Sequence, residues 1–114
     1  MTFEDVRAFA FALPGVTDGT SYGHACLKAH GKFLTRLWDD GDTLVCPGIT
    51  FDERELLIEA EPQTFFVTDH YRGHPYVLIR LSRAHPSTVE RFLKQRWRDV
   101  APKKLLQAYD AGGL

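Results

Sequence analysis

Two histidines four residues apart, His70 and His74, have the spacing of a metal-ligating pair. On a helix that spacing stacks two imidazoles on one face, where they can hold zinc. Gly73 lies between them and Pro75 follows directly, and both residues oppose a helix. No Glu follows His70 as it would in HExxH, so we expect neither a metal nor a cofactor here. Asp69, His70 and Arg72 could form an acid–base cluster, because a carboxylate beside an imidazole raises its pKa and orients it. No nucleophile accompanies them, since Ser21, Ser82 and Ser87 lie in no GxSxG context. The expectation is a structural turn rather than an enzyme. Asp69 would accept backbone amides, and Arg72 would donate to carbonyls or a carboxylate.

The remaining polar groups point to binding. Gly15, Gly19 and Gly23 match neither GxGxxG nor GxxxxGK[ST], and Asp39, Asp40 and Asp42 fit no EF-hand loop. Cys26 and Cys46 match no CxxC pattern and read as free thiols packed like small apolar residues. The net charge of -1 hides a split: residues 1–70 carry 5 Lys/Arg and 12 Asp/Glu, and residues 71–114 carry 9 and 3. A basic second half suits a phosphate backbone, with Arg72, Arg91, Lys94, Arg98, Lys103 and Lys104 as contacts. The plain alternative is that the two halves neutralise each other across the fold. A second binding reading uses the turn from Asp69 to Pro75. His70 and Arg72 would anchor an anionic group there, walled by Tyr71 and Tyr76.

The segments that must position these residues are legible from periodicity. Thr2 to Leu13 is an amphipathic helix with Phe3, Val6, Ala10 and Leu13 on one stripe, a Thr2/Asp5 capping box, and Pro14-Gly15 as its stop. Val16 to His24 reads as a loop leading into a short strand. Strands follow at Cys26–Ala29, 32–38 and 43–46, joined by turns at His30-Gly31-Lys32 and 39–42. Thr50 and Glu53 predict a second capping box, with Leu56, Leu57 and Ala60 on one helical face before Pro62. The densest apolar patterning, 65–82, gives two strands around the turn. Pro86 opens a third helix with Val89, Phe92, Leu93, Trp97 and Val100 on its apolar stripe. Lys103 to Tyr109 can add further turns, and Gly112-Gly113 marks a frayed end.

This is one α+β domain over 1–114: an antiparallel sheet of about five strands packed against helices that cover one face. No apolar run approaches the ~20 residues that span a bilayer. The first residues carry acids where a signal peptide would be basic. With two thiols outside any disulfide pattern, the expected location is the cytoplasm, with no membrane partner.

Four segments together resemble the MmcQ/YjbR family of small bacterial proteins. They are LPGV at Leu13 to Val16, GK-F-RL over 31–37, FFVTDHYRGHPYVLIRL over 65–81, and WR-VAPKKL over 97–105. The resemblance implies a YjbR-like, frataxin-like α+β arrangement. It also implies DNA as a partner, by analogy of the fold with a double-wing motif. The chain departs from the pattern at His74, where an aromatic residue is expected, and at His85, where an acidic cap before Pro86 is expected. The second change should weaken the N-terminus of the third helix.

Overall fold

Alternation along the chain resolves into six strands in a computed structural model, which describes residues 1–21 and 23–112. The strands are β1 (Val16–Ser21), β2 (His24–Ala29), β3 (Lys32–Leu37), β4 (Thr43–Pro47), β5 (Phe65–Phe66) and β6 (Tyr76–Arg80). They form one antiparallel sheet in the order β1-β2-β3-β4-β6-β5. The four helices are α1 (Phe3–Phe11), α2 (Phe51–Ala60), α3 (Pro86–Val100) and α4 (Lys103–Asp110). The fold is α+β, as expected, with one strand more than counted. The strand at Val16 begins directly after Gly15, without the leading loop. Gly113 of the expected frayed end lies outside the described residues.

Gly15 can start the sheet so abruptly because it takes φ +80, which only glycine adopts without strain. A Cβ there would stand 2.2 Å from the His30 ring. The turn between β2 and β3 has two positive φ values, 55 at His30 and 79 at Gly31. That is the signature of a two-residue type I′ hairpin, whose twist matches its strands.

The pairing of β2 with β3 slips between Leu27 and Lys28. Leu27 faces Thr35 and Lys28 faces Phe33, so Leu34 is one residue extra, a β-bulge. In a regular strand Phe33 and Arg36 would face opposite sides. The bulge puts both on the face away from the helices, while Leu34 drops into the main core.

On the helix side, Leu44, Cys46, Val77 and Ile79 from β4 and β6 meet Val89, Phe92, Leu93 and Trp97 from α3 and Val6 and Ala10 from α1. Trp97 is wholly buried, and its indole N–H donates to the Pro14 carbonyl at 2.8 Å. α1 carries the full reciprocal capping box at Thr2 and Asp5. In α2 only half of the box forms, with the Glu53 amide donating to Thr50. His85 provides no side-chain cap for α3, as its departure from an acidic residue implies, and Pro86 occupies the first turn.

The face of α2 differs from expectation. Leu56 is 67% exposed, and the residue buried on this helix is Arg54. The opposite sheet face is also not wholly free. Residues 67–75 fold over β4 and β6, and Tyr71 packs there with Val45 and Leu78 in a small second core. Among the described residues, the β1–β3 side of that face stays open.

Candidate functional site

A cleft of about 560 Å³ opens where the folded-over segment 67–75 meets the bare part of the sheet. β1 supplies Thr20 and Ser21, β2 supplies Cys26 and Lys28, and β3 supplies Phe33 and Arg36. The turn and the start of β6 supply His70, Tyr71, His74 and Tyr76.

The turn wall is held from behind by Arg54. Its Nη1 donates to the carbonyls of His74 (2.8 Å) and Tyr76 (3.1 Å), and its Nη2 to that of Arg72 (2.9 Å). The Ile49 amide adds a bond to the Pro75 carbonyl. A buried guanidinium suits this task, because its planar fork satisfies several carbonyls that the tight turn leaves without strand partners. The expected role of Asp69 is therefore corrected: its side chain is fully exposed and, among the described residues, accepts from Arg72 at 3.3 Å rather than from backbone amides. Arg72 does donate to a carboxylate, one of the two kinds of partner expected of it, and the carbonyl-binding arginine is Arg54.

Rings line the turn side of the cleft. Phe33 and Tyr76 lie 6.5 Å apart with planes 16° from parallel, and Tyr76 and Tyr71 lie 5.3 Å apart at 17°. His70 stands edge-on to Tyr71 at 4.6 Å, and His74 tilts against Tyr76 at 6.1 Å. Aromatic pairs at such spacings add stabilisation beyond area burial.

Among the described residues of the lining, the cations are Lys28 and Arg36 and no Asp or Glu accompanies them. Arg36 is almost wholly buried. Its Nη2 donates to the Tyr71 hydroxyl at 2.7 Å and its Nη1 to the Leu37 carbonyl at 3.2 Å. Asp39, just outside the lining, comes within 3.9 Å of Arg36 and 3.0 Å of His24. Burial pushes the Cys26 thiol above its ordinary pKa, and it pushes Cys46 up to about 12. Neither cysteine is a ready thiolate.

Of the predicted turn residues, His70, Tyr71 and Tyr76 do line the cleft, whereas Arg72 points elsewhere. His70 and His74 sit in turns rather than on a helix, so their spacing does not place two imidazoles on one helical face. Five of the six predicted phosphate contacts lie on α3 and α4, outside the lining of this cleft, and the sixth, Arg72, sits on the turn and pairs with Asp69. Arg91 pairs with Glu53 at 3.7 Å, Lys94 lies over the Tyr109 ring, and Arg98 makes two bonds to Asp110. The Arg98 bonds hold the Asp110 carboxyl below its usual range and strap α4 to α3. Lys103 and Lys104 are exposed on the first turn of α4. Phe33, Lys28 and Arg36 carry the cleft, yet sequence reasoning placed none of them in a site. Alternation along β2 and β3 was the available signal, and the bulge at Leu34 breaks it.

Among the described residues, no helix is long and apolar enough to cross a membrane. Proteins similar to this chain occur in mycobacteria. One from Mycobacterium bovis and two from strains of Mycobacterium tuberculosis are each 40% identical over 85 residues. Each is described only as an uncharacterised protein. The matched stretch spans 72% of this chain and 66% of the relatives' length, just under two thirds. No protein-family profile matches the chain, and no solved structure does. The chain is thus similar in sequence to these mycobacterial proteins.

Proposed function

We propose that this domain binds a small anionic ligand in the open-face cleft without turning it over. The observation that carries the reading is the lining: among its described residues Lys28 and Arg36 are the charged groups, and the nearby carboxylate of Asp39, 3.9 Å from Arg36, lies outside it. A concave surface of one charge sign with apolar walls focuses its potential on a ligand. Arg36, pinned by Tyr71 and Leu37, acts as a fixed charge, and exposed Lys28 acts as the donor that can reach. The raised pKa of the buried Cys26 thiol supports binding over covalent chemistry.

The test is thermal-shift and ¹⁵N NMR titration of the intact domain with inorganic phosphate, phosphate monoesters and small carboxylates, alongside K28E. Stabilisation by an anion, with shifts at Thr20, Lys28 and Tyr76 that K28E abolishes, is the expected result. No response up to roughly 10 mM, where even a site worth about 4 kcal/mol would fill, refutes the reading.

A second reading, nucleic-acid binding through α3 and α4, draws on the MmcQ/YjbR resemblance and on the exposed pair Lys103 and Lys104. It is weakened because Arg91 and Arg98 already face acids. Retardation of duplex DNA at low salt that is lost in K103E/K104E would favour it over the cleft. A cytoplasmic location is part of the same proposal, supported by two buried cysteines that are free thiols.

A further inference from the structure

We propose that the ligand of the cleft is a fused-ring aromatic monocarboxylate, with its flat body on Phe33 and Tyr76 and its carboxylate on Lys28. This rests on the anion-binding reading and adds the body that carries the anion. The ground for it is a division of the lining, with rings on one wall and a reaching cation on the other.

The rings occupy the turn side. Phe33 and Tyr76 are half-buried although they stand beside Tyr71, which is buried, so ring surface remains on the cleft. Phe33 and Tyr76 lie 6.5 Å apart with planes 16° from parallel, and Tyr71 continues the series at 5.3 Å and 17°. Flat aromatic groups stack on such surfaces. The volume sets the size of the body. The cleft holds about 560 Å³, inside the range of roughly 300–1,000 Å³ that buries an organic ligand. An inorganic anion would leave most of that space empty, and a single ring with a carboxylate would leave much of it.

The reaching cation stands toward β1. Lys28 is exposed, and its side chain makes no hydrogen bond or ion pair among the described residues. A Cβ on Gly19 would lie 3.5 Å from Lys28 Cε and 3.8 Å from its Cδ, so the stem runs across β1 in the room that this glycine leaves. In the pairing of β2 with β3, Lys28 faces Phe33 directly, which makes the cation and the first ring neighbours. A carboxylate on a ring that covers Phe33 therefore comes within reach of the Lys28 ammonium. Arg36 is a fixed part of the wall. Its guanidinium donates to the Tyr71 hydroxyl and the Leu37 carbonyl and lies 3.9 Å from Asp39, so its charge is met within the protein. Lys28 is the cation left to close on a ligand, and it suits a single negative charge. A phosphate dianion would bring a second charge toward Asp39 with no second cation to receive it. An uncharged ring compound would cover the ammonium without pairing it. Thr20 and Ser21 on β1 add hydroxyls that can donate to a carboxylate oxygen.

The experiment is isothermal titration of the full chain with 2-naphthoate, its saturated counterpart decahydro-2-naphthoate, neutral 2-naphthamide and 2-naphthyl phosphate. F33L and K28Q variants are titrated in parallel. The aromatic acid should bind about fivefold or more tighter than the saturated acid, the low end of aromatic stacking. F33L should narrow that gap without weakening the saturated acid. K28Q should weaken both acids by the same factor and leave the amide unchanged. If F33L fails to fold, the comparison of the two acids on the unaltered protein decides alone. Equal affinity for the two acids would overturn the aromatic assignment and leave the anion-binding reading standing. Tighter binding of the naphthyl phosphate than of the naphthoate would overturn the single-charge assignment and also leave that reading standing. An amide bound as tightly as the acid would overturn the pairing with Lys28, and the anion-binding reading with it. No binding of any of the four would overturn this inference, and the response to inorganic phosphate and small carboxylates then decides the anion-binding reading separately.

Discussion

Arg54→Met removes the guanidinium that holds the turn wall of the cleft while keeping an apolar stem of similar length. Arg54 is 4% exposed and donates to three carbonyls, those of Arg72, His74 and Tyr76. A hydrogen bond from a charged donor contributes about 1.5–3 kcal/mol, so three taken separately would suggest roughly 4.5–9 kcal/mol. Three considerations reduce that. The three bonds share one donor group and one short segment, so they do not add. Residues 72–75 are exposed, so water can re-satisfy their carbonyls. The substitution also relieves a buried ion whose Nε has no hydrogen-bond partner among the described residues, which offsets part of the loss. The expected destabilisation is about 2–4 kcal/mol, measured by urea denaturation followed through tryptophan fluorescence. Asp69→Ala is the paired control. Its carboxylate is fully exposed, and its removal should change stability by no more than about 0.5 kcal/mol. An Arg54→Met protein within about 0.5 kcal/mol of the parent, or an Asp69→Ala protein as damaged as Arg54→Met, would refute this account of the turn.

Further outcomes follow from particular contacts. Gly15→Ala should cost more than Gly41→Ala: both have positive φ, worth about 1–2 kcal/mol, but only at Gly15 would the new Cβ meet the His30 ring. Thermal unfolding of the two variants side by side isolates the clash, and equal losses would count against it. Asp40→Asn tests the turn between β3 and β4, where the Asp40 carboxylate accepts from the amides of Asp42 and Thr43 and from the Thr43 hydroxyl. Burial raises the Asp40 pKa, but the bond from the Thr43 side chain and those from backbone amides outweigh it and leave the pKa lowered. A lowered folded pKa means its stabilisation is complete above the unfolded value, about 3.9, and disappears as pH falls through the folded value. The parent should therefore exceed Asp40→Asn by on the order of 1 kcal/mol at pH 6, and the gap should shrink below about pH 4. A gap that stays constant on acidification would contradict this. Trp97→Phe should cost about 2–3 kcal/mol by denaturant titration, through core volume and the stranded Pro14 carbonyl.

What the sequence reveals in advance divides by the range of the physics involved. Thr2 with Asp5, Pro86, and the turn at His30-Gly31 act within four residues, and their elements stand where periodicity places them. The cleft depends on contacts that no local rule carries. Counting alternate residues from Phe33 sends Arg36 to the other face, and only the extra residue at Leu34 brings the two together. That bulge is a property of pairing with β2, invisible in β3 alone. α2 misleads for a related reason. An apolar stripe selects Leu56, yet the helix turns inward the residue that carbonyls 18 to 22 positions away require, Arg54. The charge split between the halves is equally incomplete, since Arg91 meets Glu53 from the acidic half and Arg98 meets Asp110 from its own. Against that background, Lys28 counts for more than any of the helical cations. It is one of two lysines in an acidic half, and the fold sets it on a lining whose described residues include no carboxylate, beside an arginine and a tier of rings. Local concentration of one charge sign, rather than the number of basic residues in a segment, determines where an anion binds.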